Sequence, residues 1–103
     1  MKCELTSMSY SDIIALARIL KSKTCLVILN FLTKNNASNQ EIYDALKDKV
    51  DIEYRSSIFE ALKRIKGAGL IEKYYDDNSN QIKYRVKVNS ISLDFDTMDL
   101  TTK

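Results

Sequence analysis

The apolar residues of this chain change period once, around Gly67-Ala68-Gly69, and that switch limits the fold more than any other feature. Before it, hydrophobic residues recur every three or four positions, the spacing of one face of an α-helix. After it they alternate: Ile82, Tyr84, Val86 and Val88 are separated by Lys83, Arg85 and Lys87, as in a half-buried β-strand. A chain of 103 residues, 45% hydrophobic and 29% charged, has room for one core. The expected fold is therefore α+β and mostly helical, a single domain over residues 1–103 with its core between about residues 10 and 95, helices first and a hairpin after them.

Four helices are predicted. Ser9 or Ser11 can cap the first, which runs to about Ser22 on Ile13, Ile14, Leu16, Ala17, Ile19 and Leu20. Thr24 to Lys34 is apolar on nearly every side, as expected of a helix in the middle of a core. Ser38 followed by Glu41 is a capping-box signature for a third helix to about Lys49, with Ile42, Ala45 and Leu46 facing inward. After a connection through Val50 to Glu53, Tyr54 to Lys66 forms the fourth, striped by Ile58, Leu62 and Ile65, and Gly67 ends it. Two short helices joined by a tight turn make a helix-turn-helix arrangement.

Leu70 to Tyr75 can pair with Ile82 to Val88 across the polar tip Asp76-Asp77-Asn78-Ser79-Asn80. Alternation puts Tyr84 beside Ile82 and Val86 on the packed side, and only one of Tyr74 and Tyr75 outward. Ile91, Leu93 and Phe95 alternate again in a further extended segment before Met98 and Leu100.

Several function classes fall away. Histidine is absent, which removes the commonest general base and the commonest metal ligand together. There is no phosphate-cradling Gly loop and no nucleophile elbow, and adjacent Asp76 and Asp77 read as solvated turn formers. The expectation is a protein without catalysis, metal or cofactor. Cys3 and Cys25 are too few for a thiolate zinc site; Cys25 fits a small buried hydrophobe, and a Cys3–Cys25 disulfide remains the alternative. The longest apolar run, Cys25 to Leu32, is too short for a membrane span, and no signal region opens the chain, so a cytoplasmic, nucleoid-associated place without membrane contact is expected.

The net charge is +2, with the basic excess between residues 53 and 88, where eight Lys/Arg stand against five Asp/Glu. On the fourth helix, about 100° per residue places Ser56, Ser57, Glu60, Lys63 and Arg64 opposite the Ile58-Leu62-Ile65 stripe, with Arg55 and Phe59 at the margins. Short polar residues near a helix N-terminus can approach base edges while Lys and Arg reach phosphates, and Glu60 can accept from cytosine N4. The face is equally that of any solvated amphipathic helix. The order of helix, turn, polar-faced helix and basic hairpin is what favours nucleic acid.

The run Ile58-x3-Leu62-x2-Ile65-x3-Gly69-Leu70-Ile71, then a polar tip and Lys83-Tyr84-Arg85-Val86, resembles the recognition helix and wing of winged helix-turn-helix transcription regulators, most closely the archaeal and bacterial ArsR-like and MarR-like groups. The resemblance spans roughly residues 10–95. It implies a winged helix that binds double-stranded DNA, with helix 54–66 in the major groove and hairpin 70–88 on the backbone or minor groove. It assigns base reading to Arg55, Ser56, Ser57 and Glu60, and phosphate contacts to the wing residues Asn78, Ser79, Asn80, Lys83 and Arg85. It also implies a homodimer through the first helix and the C-terminal segment, reading two half-sites about one helical turn apart. The chain departs from metal-sensing members in having no His and no paired Cys on its third helix. A winged helix that docks on another protein, within a transcription or replication assembly, is the alternative that Glu60 and the low net charge favour.

Overall fold

The computed structural model describes residues 10–49 and 55–102, the side chains of Ser11, Asp12 and Arg55 excepted. Four helices, α1 (Tyr10–Leu20), α2 (Lys23–Leu32), α3 (Asn39–Leu46) and α4 (Arg55–Gly67), precede four strands, β1 (Ile71–Asp76), β2 (Gln81–Val86), β3 (Ile91–Asp94) and β4 (Asp99–Thr102). The first cap, Ser9 or Ser11, and the 50–53 connection lie outside the described residues or side chains, as do Tyr54 and Cys3 with its disulfide alternative.

α2 is the centre, touching α1, α3, α4 and β2. Cys25, Ile28 and Leu32 form its buried face, so the Cys25 thiol is a core atom, as its apolar setting predicts. Ile42 and Leu46 from α3, and Ile58, Leu62 and Ile65 from α4, complete the helical core. α2 begins one residue earlier than predicted, because Ser22 is its N-cap and its Oγ accepts the Cys25 N–H at 3.3 Å. α3 ends at Leu46, short of Lys49; a last turn continues from it, with the Lys49 N–H bonded to the Leu46 carbonyl.

The capping box of α3 forms in full. Ser38 Oγ accepts from the Glu41 N–H at 3.2 Å, and Glu41 Oε1 accepts from the Ser38 N–H at 2.8 Å. Because Ser38 is itself buried, Ser38→Ala should lower unfolding free energy by about 1 kcal/mol or somewhat more. Urea denaturation read by circular dichroism would measure that loss.

The stop signal of α4 is Gly69 rather than Gly67, which is the last helical residue. The Gly69 N–H bonds the Lys66 carbonyl at 2.9 Å and the Leu70 N–H bonds the Ile65 carbonyl at 3.3 Å, the paired bonds of a Schellman end. Gly69 has φ +80, and a Cβ there would meet nothing within 4 Å, so Gly69→Ala should cost about 1 kcal/mol from backbone conformation alone.

β1 and β2 pair antiparallel from Ile71↔Val86 to Asp76↔Gln81, the predicted hairpin with β1 shifted one residue later. β2 stops at Val86 rather than Val88, although the Lys87 and Val88 N–H groups still reach the Leu70 carbonyl. On the other edge of β2, Tyr84 and Ala37 exchange N–H···O bonds of 2.8 and 3.2 Å, which ties the hairpin to the α2–α3 connection. The C-terminal segment is not a single extended stretch. β3 and β4 pair from Ile91↔Thr102 to Asp94↔Asp99 in a second hairpin, and Leu100 enters the core.

Candidate nucleic-acid interface

The Ile58-Leu62-Ile65 stripe fixes the orientation of α4 by burying itself fully, so the opposite side must face outward. Ser56, Ser57, Glu60, Lys63 and Arg64 are all exposed there, and Phe59 is half-exposed at the margin. Arg55 is the first residue of α4, and its side chain lies outside the described residues. Arg64 and Lys66 occupy the last turn, where cations complement the helix dipole.

Packing of α2 on α4 adds residues that the sequence reading missed. Ser22 and Thr24, at the start of α2, join Ser56, Ser57, Glu60, Ala61 and Arg64 around a polar depression of about 330 Å³. Lys21 and Lys23 are exposed beside it in the chain. The sequence places Ser22 only near the end of the first helix, and nothing in the spacing relates it to a helix more than thirty residues away. A groove with hydroxyls from two helices and a guanidinium can accept phosphate oxygens and the polar edges of bases.

The hairpin presents its predicted residues differently. Lys83 and Arg85 share one side of β2, but neither is an unpaired cation. Lys83 Nζ lies 3.1 Å from Asp76 Oδ2 and 3.8 Å from Glu41 Oε1, and its side chain is largely covered. Arg85 Nε donates to Glu72 Oε2 at 2.7 Å, with its guanidinium 4.5 Å from the Tyr74 ring centre. The tip residues build the turn: Asp76 Oδ1 accepts the Asn78 N–H at 3.0 Å and Asp76 Oδ2 accepts from Ser79 Oγ at 3.0 Å. Asn80 takes φ 55, a left-handed position Asn tolerates, and its Oδ1 accepts the Tyr75 hydroxyl at 2.9 Å.

Lys83, Ser79 and the Asn78 N–H hold the Asp76 carboxyl below the usual carboxylate value, and Asp76 raises the Lys83 ammonium above its own. A carboxyl depressed on folding stabilises above its unfolded value, about 4, and loses that support as pH falls through its folded value. The raised lysine contributes below its unfolded value, about 10, and loses its part as pH rises through its folded value. The hairpin tip should therefore loosen on acidification. A carboxyl-carbon NMR titration of Asp76, with the Asn78 amide followed alongside, should give a midpoint below the ordinary aspartate value of about 4.

Tyr84 is buried, and burial raises its hydroxyl's pKa. Tyr74 and Tyr75 lie on opposite faces, with Tyr75 the more exposed. Ile82 was expected on the packed side with Tyr84 and Val86, and it does share their face; yet it is 50% exposed, because the tip extends past the body and leaves Ile82 and its partner Tyr75 without a floor. Among the described residues, no three His, Cys, Asp or Glu side chains group to hold a metal ion, and no helix is long and apolar enough to cross a membrane. Neither a protein-family model nor a curated protein matches the chain.

Proposed function

We propose that this protein is a small winged helix-turn-helix regulator of transcription that binds double-stranded DNA, with α4 in the major groove. The observation that carries the reading is the convergence of Ser56, Ser57, Glu60 and Arg64 with Ser22 and Thr24 on one polar surface, bordered by Lys63. Arg55 and the serines of α4 read bases; Lys63 and Arg64 hold phosphates. The order α3, α4, hairpin and the Ala37–Tyr84 bridge at the hairpin's edge support the winged-helix assignment. The protein acts by binding, not catalysis, in the cytoplasm on the nucleoid.

Within this reading the hairpin's share of phosphate binding is smaller than the sequence suggested, since Lys83 and Arg85 already have carboxylate partners. The same pairing, with the half-exposed Phe59, Tyr75 and Ile82, favours the second reading, a winged-helix module that docks on protein. Fluorescence anisotropy on a random duplex of about 30 base pairs, across about 50 to 300 mM salt, separates the two. Micromolar or tighter binding that weakens steeply with salt supports the DNA reading. No binding by folded protein at the lowest salt rejects it.

A further inference from the structure

α4 carries one large hydrophobic side chain that the core does not use. Phe59 is 48% exposed and stands outside the cluster that Ile58, Leu62 and Ile65 belong to. At about 100° per residue it lies about 60° round the axis from Ser56 and about 40° from Lys63, one turn away on either side. Ala61, which borders the depression shared with α2, is about 160° from it, so the ring occupies the opposite flank of the outer face. Phe59 is the fifth of the thirteen residues of α4 and so sits in its N-terminal half.

Against a duplex, that flank of α4 faces base edges in the major groove. The polar features that base pairs display there are hydrogen-bond donors and acceptors, and the one apolar group is the C5-methyl of thymine. A phenyl ring has no hydrogen bond to give, so pressing it on an amino, N7 or carbonyl edge strips water from a polar group without replacing it. On a methyl, the same ring removes apolar surface from water on both partners. The neighbouring side chains do not supply this discrimination. Ser56 and Ser57 can pair with more than one base, and Glu60 accepts from cytosine N4. Lys63 reaches phosphate, which is the same at every step of the duplex.

Resting on the DNA reading, we infer that Phe59 is a specificity-determining residue that packs on the C5-methyl of thymine, so that α4 favours duplexes with a 5-methylated pyrimidine under the ring. The contact adds no charge and releases no counterion, so it shifts affinity by the same factor at every salt concentration. That separates it from the contributions of Lys63 and Arg64, which fall as salt rises.

Anisotropy titrations of the full chain on duplexes that differ only in that methyl test it. Wild type should bind a duplex of about 30 A·T pairs about fourfold more tightly than the same duplex with every thymine replaced by deoxyuridine, and the ratio should hold from about 50 to 300 mM salt. A G·C duplex should gain by a similar factor when its cytosines are 5-methylated. In Phe59→Ala and Phe59→Gln, at a position exposed enough to leave folding intact by circular dichroism, both ratios should fall to about one. Duplex binding by wild type that ignores both substitutions overturns the inference and leaves the DNA reading standing, with Phe59 then free for a protein partner. Ratios that survive in both variants overturn it too, since another group would be the reader. Absence of duplex binding by folded protein at about 50 mM salt removes the DNA reading itself, and the inference with it.

Discussion

Replacing Lys63 and Arg64 together by alanine should weaken duplex binding by roughly tenfold per residue at about 100 mM salt and lower the salt slope by about one for each. The same pair of changes at Lys83 and Arg85 should cost much less affinity. Both pairs are basic and both follow from the same sequence logic, so the difference tests the structure. Lys63 and Arg64 sit exposed on α4, while Lys83 is held by Asp76 and Glu41 and Arg85 by Glu72. A cation already neutralised by a neighbouring carboxylate must give up that partner before it can displace a counterion from DNA. Anisotropy titrations of both double variants at several salt concentrations decide it. Equal losses from both pairs would show that the hairpin ion pairs open on the duplex.

The second large effect is on stability. Leu100→Ala should lower unfolding free energy by about 2–5 kcal/mol, a substantial share of the roughly 5–15 kcal/mol available to a domain this size. Removing residues 91–103 should prevent folding to the native state. Leu100 is 2% exposed, and Ile91 and Leu93 pack against the same core, so the second hairpin closes one side of it. Guanidinium denaturation of Leu100→Ala, with far-ultraviolet circular dichroism of the truncated chain, measures both. A truncated chain that unfolds as cooperatively as the full one would show the core to be complete without the hairpin.

Local signals were legible wherever they depend on near neighbours along the chain. The capping box at Ser38 and Glu41, the Ile58-Leu62-Ile65 stripe and the β1–β2 pairing follow from spacing of a few residues, and each element lies where it was expected to within two or three positions. Gly67 is the residue the sequence offers as the end of the helix, but Gly69 takes the left-handed turn, because that depends on where the last helical hydrogen bond falls. The C-terminal hairpin was harder. Its strands are four residues long, and its turn places Met98 rather than Gly or Asn at φ 57, so no turn signature announced it.

The sequence by itself determined which faces are apolar, which are charged and in what order helices and hairpin occur, because side-chain period is set by backbone geometry and needs no distant partner. Tertiary structure alone decided what those faces meet. It brought Ser22 and Thr24 to the outer side of α4 and covered Lys83 with Asp76 and Glu41. It also left Ile82 exposed beyond the edge of the body. Each of these depends on contacts between residues far apart in the chain or on where the core ends, and periodicity carries no information about either.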